Sequence, residues 1–124
     1  MSRSVRIPGP DHPITVEPGG VRVVVTAGGH VVADSTRALA LREADYPVAY
    51  YVPRDDVTPG VLSDSDTTTY CPYKGDASYV TVTTPEGAVP DAAWSYVEPY
   101  DAVAPIAGHL AFYPDRVEIV VQDS

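Results

Sequence analysis

The sequence predicts a mainly β fold: a compact single domain of about eight to ten short antiparallel strands, with one or two short helices. Two observations carry this. Thirteen prolines and nine glycines break the 124 residues into short runs. Where they cluster as turn signals, the spacing is roughly eight to twelve residues, the rhythm of an all-β chain. The runs between them are rich in Val, Thr and Tyr, whose branched or flat side chains pack well on a pleated surface.

Residues 1–12 read as an N-terminal arm ahead of a core spanning about 10–121. Val-Arg-Val-Val-Val-Thr at 21–26 is a strand, Gly28-Gly29 a tight turn, and residues 30–34 the return arm of a hairpin. Arg-Ala-Leu-Ala-Leu-Arg at 37–42 alternates loosely and suits a strand or a short helix equally. Residues 48–52 are β-branched and aromatic between Pro47 and Pro53, and 54–57 read as a turn or one helical turn. The clearest strand is Tyr-Val-Thr-Val-Thr at 79–83, with Pro85-Glu86-Gly87 turning after it and a further strand at 92–97 around Trp94. Pro99 sits where it would open a short helix over 98–103. Residues 110–113 and 117–121 read as a closing hairpin across Pro114-Asp115, and 122–124 as a frayed end.

A chain of this length fits one domain able to bury a core without staples. Cys71 is the only cysteine, so there is no internal disulfide and no CxxC pair for zinc, and the usage fits a reducing cytoplasm. No signal peptide is read at the N-terminus and no run approaches the roughly 18–20 apolar residues of a membrane span. Eight basic against 17 acidic residues give a formal charge of −9, a sign that repels phosphate backbones. Nucleic acid and membranes are therefore not expected partners; a neutral or cationic small molecule is the ligand such a surface leaves open. His12, His30 and His109 are dispersed, with no HxH or HxxxH spacing, so neither a structural metal nor a cofactor is expected.

Reactive and polar-aromatic side chains concentrate in Thr-Tyr-Cys-Pro-Tyr-Lys-Gly-Asp-Ala-Ser-Tyr at 69–79, which holds the only cysteine and the only lysine. Together with Val-Ala-Asp-Ser-Thr at 32–36, Tyr-Tyr-Val-Pro at 50–53, Ala-Trp-Ser-Tyr at 93–96 and Ala-Phe-Tyr at 111–113, in that order, the chain resembles the domain-of-unknown-function 427 family over roughly residues 10–121. The resemblance implies a small β domain of the β-tent type, similar in topology to methionine sulfoxide reductase B and Mss4-like proteins. It implies no activity. The paired CxxC knuckles of many β-tent proteins are missing, and nothing here matches the reductase's cysteine motif. The family has also been labelled nucleotidyltransferase-like. That chemistry needs a glycine turn and two metal-sharing carboxylates, for which Gly28-Gly29 and Asp64-Ser65-Asp66 are the nearest pieces.

Cys71 and Lys74 are the candidate catalytic residues. A tight turn after Pro72 would bring the Lys74 ammonium toward the thiol, and a nearby cation favours the reactive thiolate. The bland alternatives are a buried, inert cysteine and a lysine paired with Asp76. Tyr51, Tyr70, Tyr73, Asp76, Trp94 and Tyr96 are candidate ligand-binding residues, because tyrosine offers an apolar body with a polar tip suited to a half-wet pocket. Trp94 and Tyr96 share a strand face by the two-residue period, with Tyr79 on a neighbouring strand. Arg37, just past a strand end, is placed with them as a guanidinium able to clamp an anion; the alternative is an Arg–Asp pair holding the corner. The expectation is a small-molecule site between a 70–76 loop and the 94–96 strand. The competing reading is a non-catalytic interaction or scaffold domain in which the same motif is structural.

Overall fold

The computed structural model describes residues 5–123. Residues 1–4 of the expected arm and Ser124 of the expected frayed end lie outside them. Ten strands run in the order β1 (Ile14–Pro18), β2 (Val21–Ala27), β3 (His30–Ser35), β4 (Leu39–Glu43), β5 (Ala49–Tyr51), β6 (Leu62–Cys71), β7 (Gly75–Thr84), β8 (Gly87–Ser95), β9 (Leu110–Phe112) and β10 (Glu118–Asp123). They form three small antiparallel sheets, ordered β1-β4-β5, β10-β2-β3 and β6-β7-β8-β9. The helices are only 3₁₀ turns at Arg54–Asp56 and Asp101–Ile106. No helix among the described residues is long and apolar enough to cross a membrane.

The 37–42 ambiguity resolves to strand. A six-residue helix gains little on its own, whereas β4 pairs on both edges, with β1 and with β5. The β2–β3 hairpin turns on Gly28 and Gly29, both at positive φ as the favoured two-residue turns require. The closing hairpin is not formed: β9 pairs with β8, and β10 pairs with β2 in a different sheet. Pro114-Asp115 lacks the glycine or asparagine a two-residue hairpin wants, and the chain instead turns on itself, with the amides of Arg116 and Val117 both donating to the Tyr113 carbonyl. Gln122 and Asp123 are not frayed, because they face Arg22 and Val21 across the β10–β2 ladder. The segment around Lys74 is not a free loop either. It is the tip of the long β6–β7 hairpin, with Cys71 opposite Gly75 in register.

Two apolar clusters result, and the period of two assigns side chains to them. Along β7, Val80 and Val82 enter the first cluster while Ala77 and Tyr79 face the second. On β9, Leu110 and Phe112 point to the first and Ala111 to the second. Leu41, Tyr51 and Trp94 join Ala111 on that second side. The first cluster is built largely on valine, with Phe112 as its buried aromatic. The second carries more of the aromatics and opens onto a cleft.

Candidate functional site

The cleft encloses about 300 Å3. Its walls are the outward faces of β4 and β5, the ends of β7 and β8, and the tip of the β6–β7 hairpin. From these come Glu43, Tyr51, Lys74, Tyr79, Trp94 and Tyr96, with Tyr46 and Tyr113 at its rim.

The hairpin tip sets Lys74. Its amide donates to the Cys71 carbonyl at 3.2 Å, closing a turn, and its carbonyl accepts from the Tyr100 amide at 3.0 Å. The side chain then crosses to β4, where Nζ donates to Glu43 Oε1 at 2.5 Å, and it lies 5.9 Å from the Tyr96 ring centre. The other carboxylate oxygen of Glu43 meets His12 Nε2 at 2.7 Å. Both charged side chains are only 12 % exposed. Burial pushes the Glu43 carboxyl up, but the hydrogen bonds from Lys74 and His12 and their charges outweigh it and hold the group below its ordinary value. A carboxylate gripped from two sides thus joins the residues before β1, the end of β4 and the hairpin tip.

The aromatic wall is hydrogen-bonded. Trp94 Nε1 donates to the Tyr51 hydroxyl at 3.1 Å across an edge-to-face pair. The Tyr113 hydroxyl donates to Tyr79 Oη at 3.2 Å, and the Tyr113 ring lies 4.5 Å from that of Trp94. Trp94 and Tyr79 face each other across the β7–β8 ladder. Burial pushes the Tyr51 hydroxyl up to about 12 and raises those of Tyr96 and Tyr113 as well. Near neutral pH these three hydroxyls are therefore uncharged.

Of the residues picked from sequence, Lys74, Tyr51, Trp94 and Tyr96 meet at this cleft. Cys71 is half-buried and packs against the second cluster just outside the cleft lining. Tyr70 turns away and its hydroxyl bonds that of Tyr100 at 2.7 Å. Tyr73 stacks on His12, and Asp76 is exposed, opposite Tyr70 in register. The Lys74 ammonium goes neither to Asp76 nor to the thiol but to Glu43.

Arg37 does not reach the cleft. Its guanidinium forks onto Asp56, at 2.6 Å to Oδ1 and 3.2 Å to Oδ2, while Ser35 Oγ donates to the same carboxylate at 2.6 Å. Asp34 pairs instead with Arg22. An Arg–Asp pair does hold the corner, with a different aspartate. Gly28-Gly29 is the β2–β3 turn and Asp64-Ser65-Asp66 lies in bulged β6. Among the described residues no three His, Cys, Asp or Glu side chains converge as a metal-binding group.

Sequence reasoning missed Glu43 and His12 as members of the site. Glu43 is 31 positions from both His12 and Lys74, and an acidic residue after a loosely alternating run carries no local mark of burial.

The chain belongs to the family described as a domain of unknown function (DUF427), whose profile matches residues 15–123. No curated protein matches the chain.

Proposed function

We propose that this protein binds a small, neutral, planar molecule carrying a carboxamide-like group, in the cleft between β4, β5 and the β6–β7 hairpin tip. The observation that carries the reading is the Lys74–Glu43 pair, 12 % exposed on each side yet lining an aromatic cleft. Taking two charges out of water costs several kcal/mol per ion, a cost their mutual attraction offsets only with very good geometry. An apolar pair would fill the same space at lower cost, so the charges point to recognition of a polar partner. Lys74 and Glu43 together sum to zero charge in a chain of net −9, which disfavours an anion. A carboxamide offers a carbonyl to the ammonium and an N–H to the carboxylate. The Trp94 and Tyr faces supply the flat wall against which a ring stacks.

Benzamide is a direct probe. Calorimetric or NMR titration is expected to show one saturable site with Kd on the order of 1 mM, what so small a ligand allows. Lys74→Met is expected to weaken it at least tenfold while the protein stays folded. Absence of saturable binding to the native protein overturns the reading.

The scaffold alternative has its own support. Glu43 ties His12, β4 and the hairpin tip together, which is what a structural clasp would do. It wins if Lys74→Met lowers stability but leaves benzamide affinity unchanged.

A further inference from the structure

A second cavity of about 450 Å3 lies on the far side of Trp94. Its sides are the β2–β10 face and the β5–β9 region, represented by Val23, Val25, Val52, Phe112 and Ile119. No charged side chain is among the described residues that line it. The indole N–H of Trp94, which also lines it, is already bonded to Tyr51. The space is open to solvent at Val48 and Val121, and apolar surface of this kind gains when a hydrocarbon covers it.

The shape narrows the choice of occupant. Val23, Val25 and Val52 beneath it are 0–1 % exposed and closed even to water, while Val48 and Val121 are 37 % and 43 % exposed, so the open space is a groove along the apolar lining that an alkyl chain or a single ring fits. The position narrows it further. Pro47, Ala49 and Trp94 line both this cavity and the polar cleft, so the two spaces adjoin across these three residues.

We infer that the two spaces form one bipartite site for an amphiphilic small molecule, with the polar planar head at Lys74–Glu43 and a hydrocarbon tail in the valine-lined cavity. This rests on the proposed small-molecule reading and extends it from a head group to a ligand class. The groove's apolar lining supplies affinity that rises with chain length, and the cleft supplies orientation.

The test is a homologous series of benzamide, 4-butylbenzamide and 4-hexylbenzamide, titrated against the native protein, Lys74→Met and two variants of the apolar groove. Each buried methylene is expected to tighten binding by about two- to fourfold. Val48→Asp puts a charge into the groove and Val121→Trp narrows it, at residues 37 % and 43 % exposed, where folding is not at stake. Both groove variants are expected to flatten the chain-length dependence while leaving benzamide itself bound as in the native protein. If benzamide binds but affinity does not rise with the chain, the bipartite site is wrong and the cleft reading stands. If the alkyl compounds bind and Lys74→Met leaves them unaffected, the cavity acts alone and the amphiphile is wrong. If no member of the series binds, both readings fall.

Discussion

The imidazole of His12 lies flat against the phenol ring of Tyr73, with centroids 4.1 Å apart and planes 8° from parallel. The contact places a residue ahead of β1 on the tip of a hairpin some 60 positions later, and Nε2 of the same ring reaches Glu43. A second tie lies alongside, where the Arg6 amide donates to the Pro72 carbonyl at 2.9 Å. Residues 6–12 are therefore docked beside the candidate site rather than trailing from the domain.

His12→Ala removes both the stacking and the bond to Glu43. The expected cost is about 1.5 kcal/mol, that of one hydrogen bond to a charged group. Amide exchange over residues 6–12 is expected to speed up while the β2–β3 hairpin keeps its protection. Unchanged exchange in that segment would show that Arg6 and its neighbours hold it without His12.

How much of this was legible depended on whether the signal was local. β2, β3 and β7 were readable because alternation and paired glycines act over a few residues, and Val80 and Val82 on one side with Ala77 and Tyr79 on the other follow that alternation. β6 was not. Ser-Asp-Ser-Asp at 63–66 has weak strand propensity, and β6 is an edge strand whose register slips between Asp64 and Thr68. The closing hairpin failed because two adjacent strands found partners in different sheets, a choice made by burial far along the chain. The site divided in the same way. Trp94 and Tyr96 were found by strand parity, whereas Glu43 and His12 come together only through tertiary contact.

Arg37 separates the two kinds of residue experimentally. Its guanidinium is 59 % exposed and engaged by Asp56, away from the cleft. Arg37→Ala is expected to leave benzamide affinity unchanged and to move the thermal midpoint little, because exposed pairs are screened by solvent. A tenfold loss of affinity with native stability would return Arg37 to the site.

Tyr51→Phe removes the acceptor for the indole N–H of Trp94. Because Trp94 is half-buried at the cleft, water is expected to take that N–H, limiting the cost to about 1 kcal/mol. As Trp94 is the only tryptophan, intrinsic fluorescence reports on this position alone. The emission maximum is expected to shift to longer wavelength. Unchanged emission together with an unchanged thermal midpoint would mean that the Tyr51–Trp94 bond does not persist in solution.

Glu43 carries the acid-side prediction. Its carboxyl is held below the ordinary value of 4.5, because the hydrogen bonds and charges of Lys74 and His12 overcome the opposing effect of burial. A carboxyl whose folded value is depressed contributes stability that is fully present above its unfolded value and is lost as pH falls through the folded one. Asp34, Asp56 and Asp91 are depressed too, the first two by arginine partners and Asp91 chiefly by hydrogen bonds from Ser65 and Thr67. The native protein alone would not isolate Glu43. Glu43→Gln keeps those three aspartates and removes one charge, so their contributions cancel in the difference between the two proteins. Urea unfolding at a series of pH values is expected to show Glu43→Gln about 1–3 kcal/mol less stable near neutral pH. That gap should narrow as pH falls below the ordinary value of 4.5 and the native carboxyl takes up its proton. A gap that stays constant across this range would mean that the Lys74–Glu43–His12 cluster does not stabilise the charged carboxylate, and the electrostatic basis of the proposed site would go with it.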